Sequence, residues 1–348
     1  TSPFGSHVVE RALKRVDAAL DEMDEAEYER ARELLTRLNA EVCSQLGEFV
    51  TDRFATFAAR RLLVVACGRE DVLPSTKAQR QGQVAPASKK AGAASAPAGG
   101  LAAKVDGGQG GQAGQPTARE PRFPDMVSAA VAVMTREDYV GDNIAEIVYS
   151  TYGSPYAQGL LRACSYDRRL VTSLVPIVLG ASYLNDSAKG GRVLEGVSSD
   201  TFDTLVRDTT GSHVVEAVAE VCPPPLLEEL HTRFFAGNVA KLAQHPAANF
   251  ALQALLAAAS SKDMVASMYA ELAPVLAELL RRQRGGVVAA LVAAAGRTGC
   301  VQRELCGTLA AALQAHAPWA GRPGAWRVAV SAALCVNCWS GAKGGFEG

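Results

Sequence analysis

This chain has little aromatic material and almost no net charge. Phe, Trp and Tyr make up 6% of its 348 residues, and 35 Lys and Arg stand against 36 Asp and Glu. Few aromatics beside many alanines and leucines disfavour a β-sandwich or barrel and favour closely packed helices, so the expected class is all-α. A formal charge of -1 excludes bulk polyelectrolyte attraction to nucleic acid or anionic lipid, leaving only local patches for such contacts. No apolar run reaches about 18 to 20 uninterrupted residues, so no membrane partner is expected. The chain starts at Thr1 rather than methionine, and the lack of a targeting signal therefore carries little weight.

The usual material of catalysis is also scarce. The 5 histidines leave little for an acid–base site. The cysteines at 43, 67, 164, 222, 300, 306, 335 and 338 are too dispersed for a secreted disulfide framework, and reduced thiols are expected. Cys335-x-x-Cys338 would need two more ligands to hold zinc, with only the remote His316 in view. The glycines from Gly107 to Gly114 and at Gly190-Gly191 lack the Gly-Lys-Ser/Thr ending of a phosphate loop, and no Gly-x-Ser-x-Gly elbow occurs. No enzyme, cofactor or small-molecule substrate is expected.

Hydrophobic residues supply 48% of the chain, enough for a substantial core. Residues 74–122 break the pattern with Gly, Ala, Gln, Ser and Pro, and cannot bury enough surface to offset their ordering entropy. They are expected to form a disordered low-complexity insert between an N-terminal part, 1–73, and a second part, 123–348. The insert has a basic excess (Lys77, Arg80, Lys89, Lys90, Lys104, Arg119 and Arg122 against Asp106 and Glu120), which suits a solvated linker or a loose RNA tether. On either side the apolar spacing is helical. Leu34, Leu35, Leu38, Val42 and Leu46 recur at three or four, and Pro274 is expected to divide the helix begun near Met264.

The most informative feature is a repeat. Gly5-Ser6-His7-Val8-Val9-Glu10 recurs unchanged as Gly211-Ser212-His213-Val214-Val215-Glu216. By chance this would happen in roughly one chain in a thousand of this length, so duplication is the better account. Weaker copies begin at Ala55, Gly153, Ala248 and Gly285, and Gly324-Ala325-Trp326 opens a candidate seventh. From Gly211 to Ala248 is 37 residues, and from Ala248 to Gly285 is 37 again. Such a period, with two or three helices per unit, specifies an α-solenoid.

We number the small opening residue of each copy zero. Positions one and five then share a helix face with position two beside them, while positions three and four (Val8 and Val9, Val214 and Val215) are expected to turn inward. The trios at positions one, two and five are Ser6-His7-Glu10, Thr56-Phe57-Arg60, Ser154-Pro155-Gln158, Ser212-His213-Glu216 and Asn249-Phe250-Gln253; the sixth copy offers only Gly286 and Ala290 at positions one and five. Taken singly, the serines could be helix caps, the glutamates solvated or paired with an arginine such as Arg11, and the phenylalanines core residues. His7 and His213 lack a second ligand at helical spacing. Recurrence of the whole trio favours a shared role, in which polar pairs meet base edges and position two stacks.

The Ser-His-x-x-Glu and Asn-Phe-x-x-Gln pentads at this spacing resemble the base-reading helices of Pumilio-type (PUF) repeats. Arg207 to Glu216, followed by Phe235-x-Gly237, Leu242-Ala243-x-His245-Pro246-x-Ala248-Asn249-Phe250 and Gln253, is similar to the nucleolar protein nine family. That resemblance implies a nucleolar or nuclear factor that binds single-stranded or structured RNA, namely small-subunit ribosomal RNA precursors, with pre-ribosomal proteins as further partners. It also implies guanine-type pairs at Ser6/Glu10 and Ser212/Glu216, a uracil-type pair at Asn249/Gln253 and an adenine-type pair at Ser154/Gln158. Thr56/Arg60 fits no standard pair, although Arg60 suits stacking or a phosphate. Phosphate contacts are expected from Arg60, Arg61, Arg168, Arg169, Lys241, Arg281, Arg282 and Arg284, with a solvated helix end as the plainer role for the last three. Two rival functions remain: a cytoplasmic Pumilio-type regulator of messenger RNA, and a HEAT- or armadillo-like protein scaffold.

Overall fold

The computed structural model describes residues 2–74, 119–139, 141–181, 192–282 and 284–314. Every regular element among them is helical. The first helix, α1, runs Pro3–Ala19 and counts as unit one, with the units after it numbered two to six. Five units follow, each an outer helix, a short helix and a third helix that opens on the repeated hexapeptide. They are α2 Glu25–Ser44, α3 Leu46–Thr51 and α4 Ala55–Cys67; α5 Pro124–Met134, α6 Asp142–Tyr149 and α7 Ser154–Ala163; α8 Arg168–Val178, α9 Ser199–Arg207 and α10 Gly211–Val221; α11 Pro224–Leu230, α12 Val239–Gln244 and α13 Ala248–Ala258; α14 Lys262–Leu272, α15 Leu276–Arg281 and α16 Gly285–Thr298. Helix α17, Gln302–Gln314, comes last. The third helices α4, α7, α10, α13 and α16 lie side by side with α1 in a single row, each against the next. This is the expected solenoid, with three helices per unit.

Local chemistry sets the element ends. Asp24 and Glu27 form a reciprocal capping box at the start of α2, the Glu27 amide donating to Asp24 Oδ1 at 2.8 Å. Pro274 sits in a 3₁₀ turn, Ala273–Val275, that divides α14 from α15 as anticipated. Leu35 and Val42 are buried on α2, but Leu34 is 58% exposed and the helix ends at Ser44, so Leu46 begins α3 instead of extending the stripe.

Val214 and Val215 are fully buried as expected, whereas Val8 is 68% and Val9 38% exposed. In the later units two preceding helices cover this side of the row helix. Among the described residues none precedes α1 to do so.

Units are also tied to one another by polar contacts. Glu271 on α14 accepts from the amides of Gly237 and Val239 at 2.8 and 3.0 Å, and Glu229 on α11 accepts from Val193 and Leu194 at 3.2 and 2.8 Å. Arg297 at the end of α16 donates to the Leu256 and Ala257 carbonyls at 2.7 and 2.8 Å, satisfying the end of α13. Residues 75–118 lie outside the described ones. The expected insert is shorter at its far end, because Pro121 and Phe123 are buried and Arg122 pairs with Asp17 and Asp21 of α1 and its following turn at 3.0 Å each. Units two and three are nonetheless consecutive in space, α4 against α7. Gly324-Ala325-Trp326, His316 and the Cys335/Cys338 pair lie outside the described residues.

Candidate nucleic-acid interface

Four of the six row helices, α4, α7, α10 and α13, are entered through the same turn. Three residues before position zero a polar side chain accepts from two backbone amides: Asp52 from Phe54 and Ala55 at 2.8 and 2.7 Å, Ser150 from Tyr152 and Gly153 at 3.1 and 3.2 Å, Asp208 from Thr210 and Gly211 at 2.8 and 2.7 Å. His245 Nδ1 does the same for Ala247 and Ala248 at 3.3 and 3.2 Å. These caps satisfy amides that the first helical turn cannot. They escaped the sequence analysis because the chemical identity changes from unit to unit. Extending the hexapeptide frame three residues upstream would have found a polar residue each time.

Position one is buried. Thr56, Ser154, Ser212 and Asn249 are at most 2% exposed. Two of them join neighbouring units in identical register: Thr56 Oγ1 donates to the Tyr152 carbonyl at 2.9 Å, and Ser154 Oγ to the Thr210 carbonyl at 3.4 Å. Both acceptors stand just before position zero of the following unit. Asn249 instead turns back on the His245 and Pro246 carbonyls, at 2.8 Å each. Ser6 likewise bonds back along its own helix, to Ser2 and Pro3.

Position five is the more accessible member of the pair. Glu10, Arg60, Glu216 and Gln253 are all half-buried, whereas Gln158 is 5% exposed. In units three and five the amide folds onto its own position one, Gln158 Nε2 donating to Ser154 Oγ at 3.0 Å and Gln253 Nε2 to Asn249 Oδ1 at 2.9 Å. The Gln253 amide fills the space that Gly286 leaves, where a side chain would begin 2.5 Å from its oxygen. Unit six thus lacks a polar pair and lends its room to the pair beside it.

Position two splits by residue type. Phe57 and Phe250 are 43% and 45% exposed, which settles them as surface rings and not core residues. Pro155 is buried. The Arg60 guanidinium lies 4.8 Å from the Phe57 ring centre, a cation–π contact, and burial lowers its pKa while Glu10 opposes the shift. His7 Nδ1 is 3.8 Å from Glu10, whose other oxygen meets Lys14 Nζ at 2.7 Å. Lys14 thereby takes the place of Arg11 as the partner of Glu10.

His213 Nδ1 is 2.9 Å from Glu216 Oε1, and that bond raises the histidine pKa against the opposing effects of burial and of Arg162, with Asp208 adding to the rise. A pKa raised by folding stabilises the fold fully below the free value of about 6.5 and ceases to do so as pH rises through the folded value. Urea midpoints measured from about pH 6 to about pH 8 should fall slightly for the wild type, by less than about 1 kcal/mol, and the His213 part of that fall should vanish in Glu216→Gln.

Of the basic residues, Arg61 pairs with Glu70, and both Arg281 and Arg282 pair with Glu278. Arg168, Arg169 and Lys241 are exposed. Among the described residues there is no cluster of His, Cys, Asp and Glu suited to a metal ion and no helix long and apolar enough to cross a membrane. Burial raises the Cys43 and Cys67 thiols to about 11 and about 12, as expected of inert core cysteines.

A single row of helices, five of the six carrying a trio in the same register, defines a helical-repeat protein of the Pumilio type. Residues 2–336 match the family model described as the NOP9-like PUF repeat domain, and the chain belongs to that family. Nucleolar protein 9 of Homo sapiens is 28% identical over 325 residues, which cover 90% of this chain and 46% of that protein. Pumilio homolog 23 of Arabidopsis thaliana is 27% identical over 194 residues, covering 55% of this chain and 25% of that protein. The chain therefore spans less than half the length of these relatives. The solved structure of APUM23-GGAAUUGACGG shares 21% identity and superposes with a TM-score of 0.66, covering 90% of this chain and 51% of that one, which establishes a common fold.

Proposed function

We propose that this chain binds single-stranded or structured RNA along the inner face formed by its row helices, without catalysis, and that its target is a precursor of small-subunit ribosomal RNA. The observation that carries the proposal is the alignment of the repeated trios on adjacent helices, with Phe57 and Phe250 exposed and His213 half-buried beside Arg60, Glu216 and Gln253. Exposed rings stack on unpaired bases, and carboxylate, amide and guanidinium groups one turn further along meet base edges. The name Nucleolar protein 9 supports a nucleolar site of action in ribosome biogenesis, and the APUM23 neighbour supports RNA as the ligand. Pre-ribosomal proteins are the other partners consistent with such a setting.

Readout is partial in this proposal. Glu10 and Glu216 would discriminate directly, whereas Gln158 must first leave Ser154 and Gln253 must first leave Asn249, and unit six contributes no polar group. A cytoplasmic messenger-RNA regulator would need a more complete array. The test is binding of the purified chain to GGAAUUGACGG as a single strand and as a duplex with its complement, at several salt concentrations. The single strand should bind more tightly, with log K falling linearly as log salt rises. A folded chain that binds neither form at low salt would overturn the proposal in favour of a protein-binding scaffold, and equal binding of both forms would overturn base reading by the trios.

A further inference from the structure

The aromatic side chains that remain exposed share one location. Among the described residues Phe4, Phe57, Tyr149, Tyr152 and Phe250 are the large aromatics left at the surface, between 38% and 85% exposed. Every one lies within a few residues of the start of a row helix: Phe57 and Phe250 at position two, Phe4 and Tyr152 just before position zero, and Tyr149 three residues further back. Buried rings are the ordinary use of aromatic residues in a chain so poor in them, because each exposed ring forgoes hydrophobic stabilisation. Phe4 lies on α1, which no preceding described helix covers, but confinement of the other four to one edge of the row calls for a ligand.

Unit three shows the pattern most clearly, since its position two is the buried Pro155. The two tyrosines flank its entry turn. Tyr152 is anchored on both sides of its peptide, its carbonyl accepting from Thr56 Oγ1 of unit two at 2.9 Å and its amide donating to Ser150 Oγ at 3.1 Å. Tyr149 closes α6 with its ring against the start of α10, Cε1 lying 3.4 Å from where a side chain on Gly211 would begin. One tyrosine thus marks the junction of units two and three, and the other the junction of units three and four. Both backbones are fixed before any ligand arrives, which lowers the entropy cost of capturing a flat group.

We propose that Tyr149 and Tyr152 form a stacking step for an unpaired nucleobase of single-stranded RNA, doing for unit three what Pro155 cannot. The inference rests on the RNA-binding role proposed above and adds to it two residues outside the repeated trio. RNA is favoured over a protein ligand because the tyrosines continue the line of Phe57 and Phe250. Guanidinium groups stand beside that line, with Arg60 over Phe57 and Arg53 5.5 Å from the Phe54 ring centre, suited to the phosphates between stacked bases. Stacking tolerates any base, so this step would add affinity without adding sequence preference.

The experiment compares wild type, Tyr149→Ala with Tyr152→Ala, and Tyr149→Phe with Tyr152→Phe. Affinity is measured for oligouridine, oligoadenosine and an abasic oligomer of equal length. The double alanine variant should bind both base-bearing oligomers roughly tenfold or more weakly, with an unchanged salt slope, while the double phenylalanine variant stays within about twofold of wild type. On the abasic oligomer all three should be equal. If the alanines disturb folding by circular dichroism, leucines at both positions keep the bulk, remove the aromatic faces, and should show the same loss. Unchanged affinity in the alanine or leucine variant, or an equal loss on the abasic oligomer, overturns the stacking step while leaving the RNA-binding role standing. Failure of wild type to bind any of the three overturns both.

Discussion

Gly153→Ala should destabilise the fold by about 2 kcal/mol and Gly153→Val by about 3 kcal/mol, although both residues are better helix formers than glycine. Gly153 has an ordinary backbone, φ -78°, so conformational freedom is not what it supplies. A Cβ there would lie 2.6 Å from the Ile147 carbonyl oxygen and 3.0 Å from its Cα, against the backbone of α6. Backbone cannot step aside as a side chain can, so α6 and α7 would have to separate and the core residues between them would lose contact. Gly211 stands in the same relation to α9, with a Cβ 2.9 Å from the Leu205 carbonyl oxygen. Position zero is glycine in units three and four because the short helix there passes directly over the start of the row helix.

Gly296 on α16 provides the control: nothing lies within 4 Å of its Cβ direction, and Gly296→Ala should stabilise by about 0.5–1 kcal/mol. Urea unfolding of Gly153→Ala and Gly296→Ala would separate the two effects, because propensity alone predicts the same sign for both. Equal stabilisation of the two variants would refute the packing account of position zero.

Much of this architecture was legible because the repeat preserves its spacing even where its residues change. Small residues at Gly5, Ala55, Gly153, Gly211, Ala248 and Gly285 were enough to place every row helix, and each opens at or within two residues of one of them. The trios were found by the same device. What the spacing could not show was how each trio divides its labour. A serine at position one looks like a base reader in sequence, yet Ser154 is spent on Gln158 one turn along and on the Thr210 carbonyl, the second bond depending on a residue far away in the chain. The exposure of Val8 and Val9 was hidden for a related reason. Periodicity reports which residues share a face, and only the neighbouring helices decide whether that face is covered.

The capping residues Asp52, Ser150, Asp208 and His245 were illegible in another way. Carboxylate, hydroxyl and imidazole nitrogen all accept from the same pair of amides, so the turn is conserved as geometry while its sequence varies. Tyr149 and Tyr152 lie outside the hexapeptide altogether. Only their exposure, which few of the described rings share, sets them apart.

On the reading of Ser212 and Glu216 as a guanine-type pair, Glu216→Gln should shift the preference of unit four from guanine to adenine. Guanine offers two adjacent donors on its Watson–Crick edge, and an ionised carboxylate accepts both. An amide presents one acceptor and one donor, which opposes guanine at one of those points and suits adenine at both. The substitution also gives unit four the Ser/Gln pair that unit three already carries in Ser154 and Gln158. In the present geometry His213 engages Oε1 of Glu216 at 2.9 Å, leaving Oε2 for a base. Relative affinity for guanine over adenine at the base facing unit four should fall by about 1–3 kcal/mol, roughly 5- to 150-fold. Competition between RNAs that differ at single positions would measure it. Glu220 makes the internal comparison: it lies one turn along the same helix but is engaged by Arg162 Nε at 2.7 Å, so Glu220→Gln removes the same charge from the same helix and should leave base preference where it was. A loss of guanine preference confined to Glu216→Gln would place a base edge at position five. An equal change in both variants would mean that the helix acts through its charge alone, and the trio would then be a structural motif without a code.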